Sequence, residues 1–235
     1  SYEQNVPKLH HFVSKKALNI DGLGKQIVTL LCEEGLVSTP ADFFKLEVGD
    51  IEPLEGFKEK SVTNLLEAIT QAKKVELHRL LFGLSIDQVG EETARDIAEQ
   101  FGRLEAIQKA TMTELEAIDG IGGVVAESLH AWFRDKKNVH MLEELLAHLE
   151  VIESKGGTEG VLEGQSVVIT GTLQTLSRDD AKDLVRKNGG KAAGSVSKST
   201  SFVVAGESPG SKVKKAQDLG VEVVAEEEFL QRLAN

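Results

Sequence analysis

Apolar residues recur at helical spacing along the first two-thirds of the chain and in short runs along the last third. Leu9, Phe12, Val13 and Leu18 line one face of a helix predicted over 8–18, with Lys15 and Lys16 turned outward. Residues 1–7 carry no periodicity and read as linker. Ile27, Val28, Leu30 and Leu31 predict a second helix that stops near Gly35. Thr39-Pro40-Ala41-Asp42 reads as a helix start, a capping threonine with proline at the first position. A short helix through Phe43, Phe44 and Leu46 follows from it. Further helices are predicted around Val62, Leu65, Leu66 and Ile69, over 68–83, and around Ile97, Ala98 and Phe101. Two short segments over 104–115 break at Thr111 and Thr113. Ala126, Leu129, Trp132 and Phe133 mark another helix, and Val139, Leu142, Leu145 and Leu146 one over 137–149.

Beyond a glycine-rich stretch, Ser154-Lys155-Gly156-Gly157-Thr158, the period changes. Ser166-Val167-Val168-Ile169 is a compact strand ending in Thr170-Gly171. A helix over 178–187 carries Ala181, Leu184 and Val185 and closes at Gly189-Gly190. Phe202-Val203-Val204-Ala205 is a buried strand, followed by a helix over 211–219, a strand over 222–224 and a helix over 226–233. Strands alternating with helices predict a small parallel α/β sheet. The expected organisation is an all-α domain over 1–153, a flexible linker over 154–160 and an α/β domain over 161–235.

One short pattern punctuates the helical part. Ile20-Asp21-Gly22-Leu23-Gly24-Lys25 places an apolar residue before Gly-x-Gly and a helix directly after. Gly22 and Gly24 are expected to permit a tight turn with positive φ and close approach of another backbone. The first amides of the helix, lacking internal partners, then form a small anion site. One such turn carries little weight, but the pattern returns. Leu54-Glu55-Gly56-Phe57-Lys58-Glu59-Lys60, Ile86-Asp87-Gln88-Val89-Gly90 and Ile118-Asp119-Gly120-Ile121-Gly122-Gly123 follow at intervals of 34, 32 and 32 residues.

Composition narrows what these turns can do. The 235 residues contain 40% hydrophobic and 28% charged residues, with 22 glycines and only 4 prolines. That suits helices joined by glycine turns. No run of about 18 apolar residues is present to span a bilayer and no N-terminal segment reads as a signal peptide, so a cytoplasmic setting is expected. The single cysteine, Cys32, excludes an internal disulfide framework or a cysteine-based zinc site within this sequence, and reads as a buried small hydrophobe. The formal net charge is −11, the wrong sign for a bulk electrostatic grip on nucleic acid. From Glu159 onward ten basic residues face eleven acidic ones, so nearly all the excess acid lies in the helical part. Contact with nucleic acid there must be local and geometric.

The four turns resemble the helix-hairpin-helix motif of DNA repair and replication proteins, h-x-Gly-h-Gly-x-x-x-Ala. The second copy departs from it with Lys58 at the second glycine and the third with Gln88 at the first. The resemblance implies sequence-independent binding of a duplex backbone through Gly22, Gly24, Lys25, Gly56, Lys58, Lys60, Gly90, Gly120, Gly122 and Gly123. Glu91 and Glu92 make the third copy the weakest expected contact. A purely architectural role for the second and third copies is the alternative. The last third resembles a BRCT domain, with Phe229 where many such domains have tryptophan. Phosphate-binding members use a Ser/Thr-Gly after the first strand and a lysine opening the second helix. Thr170, Gly171 and Lys212 match, with Arg178 close by in sequence. A phosphopeptide, a 5′ DNA phosphate or no ligand at all stay open for this set.

Both modules in this order, with His11-Phe12-Val13-Ser14, Thr39-Pro40-Ala41-Asp42, Ser177-Arg178-Asp179-Asp180-Ala181 and Gly210-Ser211-Lys212, are similar to the C-terminal half of bacterial NAD-dependent DNA ligases. The resemblance implies a part in sealing nicks that carry 3′-OH and 5′-phosphate ends. The partners it implies are nicked double-stranded DNA and a protein or 5′-phosphate ligand of the BRCT unit. It implies no membrane partner, and a monomer is expected. In that family the adenylation lysine lies in Lys-x-Asp-Gly, and four cysteines bind zinc. Neither feature occurs here: the nearest strings, Asn19-Ile20-Asp21-Gly22 and Ala117-Ile118-Asp119-Gly120, lack the lysine. The expected cofactors of this stretch are therefore none, with NAD, Mg2+ or Mn2+ and Zn2+ implied for a complete enzyme. No catalytic or metal-binding residue is assigned here. The six histidines are scattered and read as surface or packing residues. A stand-alone DNA-binding adaptor is the alternative.

Overall fold

The first apolar stripe begins earlier than the sequence led us to expect. In the computed structural model, which describes residues 2–118, 120–154 and 160–234, helix α1 runs over Tyr2–Val13 with Pro7 inside it. Val6, Leu9, Phe12 and Val13 are all buried, so the stripe that selects the helix reaches back past the proline. The helix also stops five residues sooner than expected. Leu18 N–H donates to Phe12 O and Ile20 N–H to Val13 O, both at 3.0 Å, and these bonds turn the chain toward the first glycine turn.

The chain divides into two compact units, residues 1–154 and 155–235. In the first, α2 (Lys25–Glu33) is followed by a 3-10 helix (Pro40–Lys45), α3 (Val48–Ile51), α4 (Glu59–Ala72) and α5 (Leu77–Gly83). Then come α6 (Glu91–Phe101), α7 (Leu104–Lys109), α8 (Met112–Glu116), α9 (Gly123–Trp132) and α10 (Lys136–Leu146). One hydrophobic core runs through the unit. Phe12 stacks on Phe43 with centroids 6.3 Å apart, and the ring of Phe44 lies 6.2 Å from that of His148.

The helical unit is not all-α. The helix expected over 68–83 is broken: α4 ends at Ala72, β1 (Lys74–Glu76) follows, and α5 resumes. Strand β1 pairs in parallel with β2 (Glu150–Ile152), Val75 opposite Val151. Val75 is buried between exposed Lys74 and Glu76, the alternation of a strand compressed into three residues.

The second unit carries β3 (Ser166–Thr170), α11 (Arg178–Lys187), β4 (Lys191–Ala193), β5 (Phe202–Ala205), α12 (Ser211–Asp218), β6 (Glu222–Val224) and α13 (Glu226–Ala234). The strands form one parallel sheet in the order β4-β3-β5-β6, and β4 is an addition to the expected strands. Alternation sorts the core into two faces. Val167, Ile169, Phe202 and Val204 pack with Ala181 and Val185 of α11 and Phe229 of α13. Val168 and Val203 pack with Ala216 of α12. Arg232 lies 4.8 Å from the Phe202 ring centroid and pairs with Glu222 and Glu228, closing the α13 side. The expected linker falls largely on residues 155–159, outside the described residues.

Candidate nucleic-acid interface

Four stretches of the helical unit share one local geometry. Leu23, Phe57, Val89 and Ile121 donate their N–H groups to the carbonyls of Ile20, Leu54, Ile86 and Ile118, at 3.4, 3.2, 3.0 and 3.1 Å. Between donor and acceptor stands a residue with positive φ: Gly22 at 95°, Gly56 at 88°, Gln88 at 66° and Gly120 at 84°. The next helix begins three residues on in every copy, at Lys25, Glu59, Glu91 and Gly123. Its first hydrogen bond runs from Val28, Val62, Ala94 or Ala126 to the carbonyl of Gly24, Lys58, Gly90 or Gly122. Gln88 therefore preserves the turn that its departure from glycine put in question.

Lys58 does too, for a different reason. Gly24, Lys58, Gly90 and Gly122 have φ of −71°, −125°, −83° and −82°, extended backbone open to any residue. The expectation of positive φ at Gly24 is thus corrected: only Gly22 of that pair needs it. A Cβ on Gly24, Gly90 or Gly122 would meet nothing within 4 Å. Neither backbone conformation nor internal packing demands glycine there, and a bare surface over the helix start is what remains.

The residue preceding α2, α4, α6 and α9 offers no side-chain cap to the first turn, although at α4 Ser61 Oγ accepts from Lys58 N–H at 2.8 Å. Elsewhere Thr111, Asp135 and Ser177 perform that task. All ten expected contact residues, Gly22, Gly24, Lys25, Gly56, Lys58, Lys60, Gly90, Gly120, Gly122 and Gly123, are exposed. At each start the first-turn amides and the helix dipole offer partial positive charge to an anion.

The turns come in reciprocal pairs. A Cβ on Gly22 would touch Leu65 of α4 at 3.4 Å, while Glu55 of the second turn lines a groove with α2. Ser128 of α9 donates to Asp87 O of the third turn at 2.6 Å, and a Cβ on Gly120 of the fourth would lie 3.9 Å from Asp96 of α6. Lys16, just ahead of the first turn, pairs with Glu91 of the third at 3.0 Å. Contacts across 41 to 75 residues leave no trace in the sequence pattern.

In the second unit the candidate phosphate set is only partly assembled. Thr170 is buried, and its hydroxyl donates to Pro209 O at 2.8 Å, leaving no proton for an external phosphate. Gly171 has φ +78°, and a Cβ there would stand 2.7 Å from Glu207 O, so internal packing already explains the glycine. Lys212, half-buried near the start of α12, follows the loop that Thr170 holds. Arg178 is exposed and opens α11, on the opposite face of the sheet. Among the described residues no cluster of three or more His, Cys, Asp or Glu could hold a metal ion.

Comparison with protein families divides the chain where the geometry does. Residues 14–71, the first pair of turns, match the SAM-like helix-hairpin-helix tandem, and residues 79–142, the second pair, match the helix-hairpin-helix motif. Residues 157–233 match the BRCA1 C Terminus (BRCT) domain. The chain is a helix-hairpin-helix tandem followed by a BRCT domain. Helix-hairpin-helix units indicate DNA binding, and the BRCT domain adds a module associated with protein or phosphate ligands.

The hairpins share a geometry and differ in charge. The first sets Lys25 at the head of α2, and the second sets Lys58 and Lys60 around the head of α4. A lysine there opposes the helix dipole and costs its own helix a few tenths of a kcal/mol, about 0.3–1. An external anion reverses that sign. Glu91 and Glu92 at the third hairpin favour the dipole, as structural residues do. The fourth carries no lysine at its head, where Gly122, Gly123 and a largely exposed Val124 stand, and the Glu116 carboxylate lies 3.8 Å from where a Cβ on Gly123 would be. The basic pair is the first.

Proposed function

We propose that this chain is the DNA-holding part of an NAD-dependent DNA ligase. Its hairpins grip the sugar–phosphate backbone of nicked duplex without reading sequence, while nucleotidyl transfer belongs to a region outside this sequence. The observation that carries the reading is the fourfold repeat of one tight turn and an exposed helix start whose preceding residue offers no side-chain cap, with lysines at the first pair. Oriented amides and a few lysines bind phosphate oxygens, which position a protein on DNA and carry no sequence information. The ligase assignment rests on the order of the modules and on the sequence stretches that resemble that family. NAD, Mg2+ or Mn2+ and Zn2+ would be held by residues that this sequence does not contain.

Binding is tested with a fluorescent nicked duplex in a salt titration. Lys25→Glu combined with Lys58→Glu is expected to weaken binding about tenfold at low salt, equally for unrelated sequences. Unchanged affinity removes these lysines from the interface. The ligase reading has its own test. A Lys-x-Asp-Gly motif and four zinc-spaced cysteines ahead of Ser1 in the reading frame support it, and a stop codon there favours an adaptor. Alone, the chain is expected to take no label from NAD carrying a radioactive adenylate.

A further inference from the structure

The BRCT domain contains a cavity that the DNA reading does not use. It measures about 570 Å³ and opens beyond the carboxyl ends of β3, β5 and β6, where parallel α/β sheets commonly take ligands. Ala205, Gly206, Ala225 and Leu230 give it an apolar floor. Two carboxylates, Glu207 and Glu227, stand exposed on its rim, and no lysine or arginine lines it.

The walls are fixed before any ligand arrives. Thr172 and Glu207 exchange backbone hydrogen bonds at 2.8 and 2.9 Å. Gly171 and Gly206 permit that approach, since a Cβ on either would strike the facing backbone. A third carboxylate, Glu226, accepts from the Thr175 hydroxyl and from the N–H groups of Gln174 and Thr175, which pins the loop to the head of α13. The Thr175 hydroxyl leads the interactions that hold this carboxyl below its ordinary pKa, so it stays ionised. Arg232 is drawn to Glu222 and Glu228, away from the rim. Among the described residues neither Glu207 nor Glu227 has a cationic partner.

We propose that this cavity receives the side chain of a lysine or arginine from an extended basic segment of a protein partner. The methylene stem lies on the apolar floor while the cationic head reaches Glu207 and Glu227. A phosphate is disfavoured, because three glutamates occupy the first turn of α13 and outweigh its dipole. A bare metal ion is disfavoured too, since these carboxylates form no metal-binding cluster.

The test uses the whole chain and three blocked pentapeptides, Gly-Gly-Xaa-Gly-Gly with lysine, norleucine or glutamate at the centre. Amide chemical shifts in NMR spectra are followed during titration. The lysine peptide is expected to move Thr172, Thr175, Gly206 and Glu207, and the other two to leave them in place. Glu207→Gln with Glu227→Gln is expected to weaken the lysine peptide about tenfold, two exposed pairs at up to about 1 kcal/mol each. Both residues are exposed, so the variant is expected to fold normally. Equal shifts from the norleucine peptide overturn the proposal, as do shifts scattered over the acidic helical unit or a double variant that binds normally. The outcome is separate from the DNA reading, because Lys25 and Lys58 are untouched.

Discussion

Asp42 shows how one carboxylate holds a helix start in place. Its carboxylate accepts from the N–H groups of Ser38 and Thr39 at 2.8 and 3.0 Å and from the Ser38 hydroxyl at 3.1 Å, with Lys45 3.5 Å away. Burial alone would push its pKa up, but these donors and the lysine outweigh burial and hold it below the ordinary 3.8. A depressed folded-state pKa means that the stabilisation is complete above the unfolded value. It disappears as pH falls through the folded one. Asp42→Asn is therefore expected to cost about 1 kcal/mol near neutrality. The difference in thermal midpoint between the two proteins should shrink once pH drops below about 4. A difference that stays constant to pH 2.5 would show that the charge plays no part. Cys32, buried on α2, has its thiol pushed up by burial and by Glu33. It packs as the small hydrophobe that its place in the helical pattern indicated.

At the scale of the element, the hairpin separates two uses of glycine that look alike in sequence. Gly22→Ala puts a methyl on a left-handed residue beside Leu65, and a loss of about 1–2 kcal/mol is expected in chemical denaturation. Gly24→Ala meets open space with extended φ, so stability is expected to hold or rise by about 0.4–1 kcal/mol. Nicked-duplex affinity of the same variant should fall, because the methyl stands over the helix amides. If Gly24→Ala loses stability and keeps its affinity, the interface is elsewhere. The repeat itself was legible because the apolar residues Ile20, Leu54, Ile86 and Ile118 mark each turn. Which glycine needed positive φ was not, since the symbol is the same for a left-handed turn and for a bare surface. The six strand and helix signals expected in the BRCT domain were readable for the same reason as the hairpins. Strands β1 and β2 were not, because each falls inside or beside an apolar run of helical period and their pairing lies 76 positions apart.

For the whole molecule, charge and geometry divide the labour. A protein with net charge −11 cannot rely on its average field to find DNA. On the proposed reading, the phosphates it neutralises are those near Lys25, Lys58 and Lys60. The slope of log affinity against log salt is then expected to be shallow, about −3, and to lose roughly one unit for each of these lysines replaced. A slope steeper than about −6 would mean that another basic surface carries the binding. The histidines stay outside this account: His11 donates through Nε2–H to Phe82 O at 2.7 Å, a carbonyl that can only accept, and its ring packs edge-on against Phe82.

The parallel pairing of Lys74 with Glu150 closes a ring in the chain, and the whole second pair of hairpins lies inside that ring. Joining its ends costs conformational entropy that grows only with the logarithm of its length. That cost is met once for the whole ring. Helices α6 to α10 therefore cannot peel away as a group while the clasp holds, and Val75 buried at its centre gives the clasp a hydrophobic anchor. The second pair of hairpins is thereby tied at both ends to the strand that follows the basic first pair.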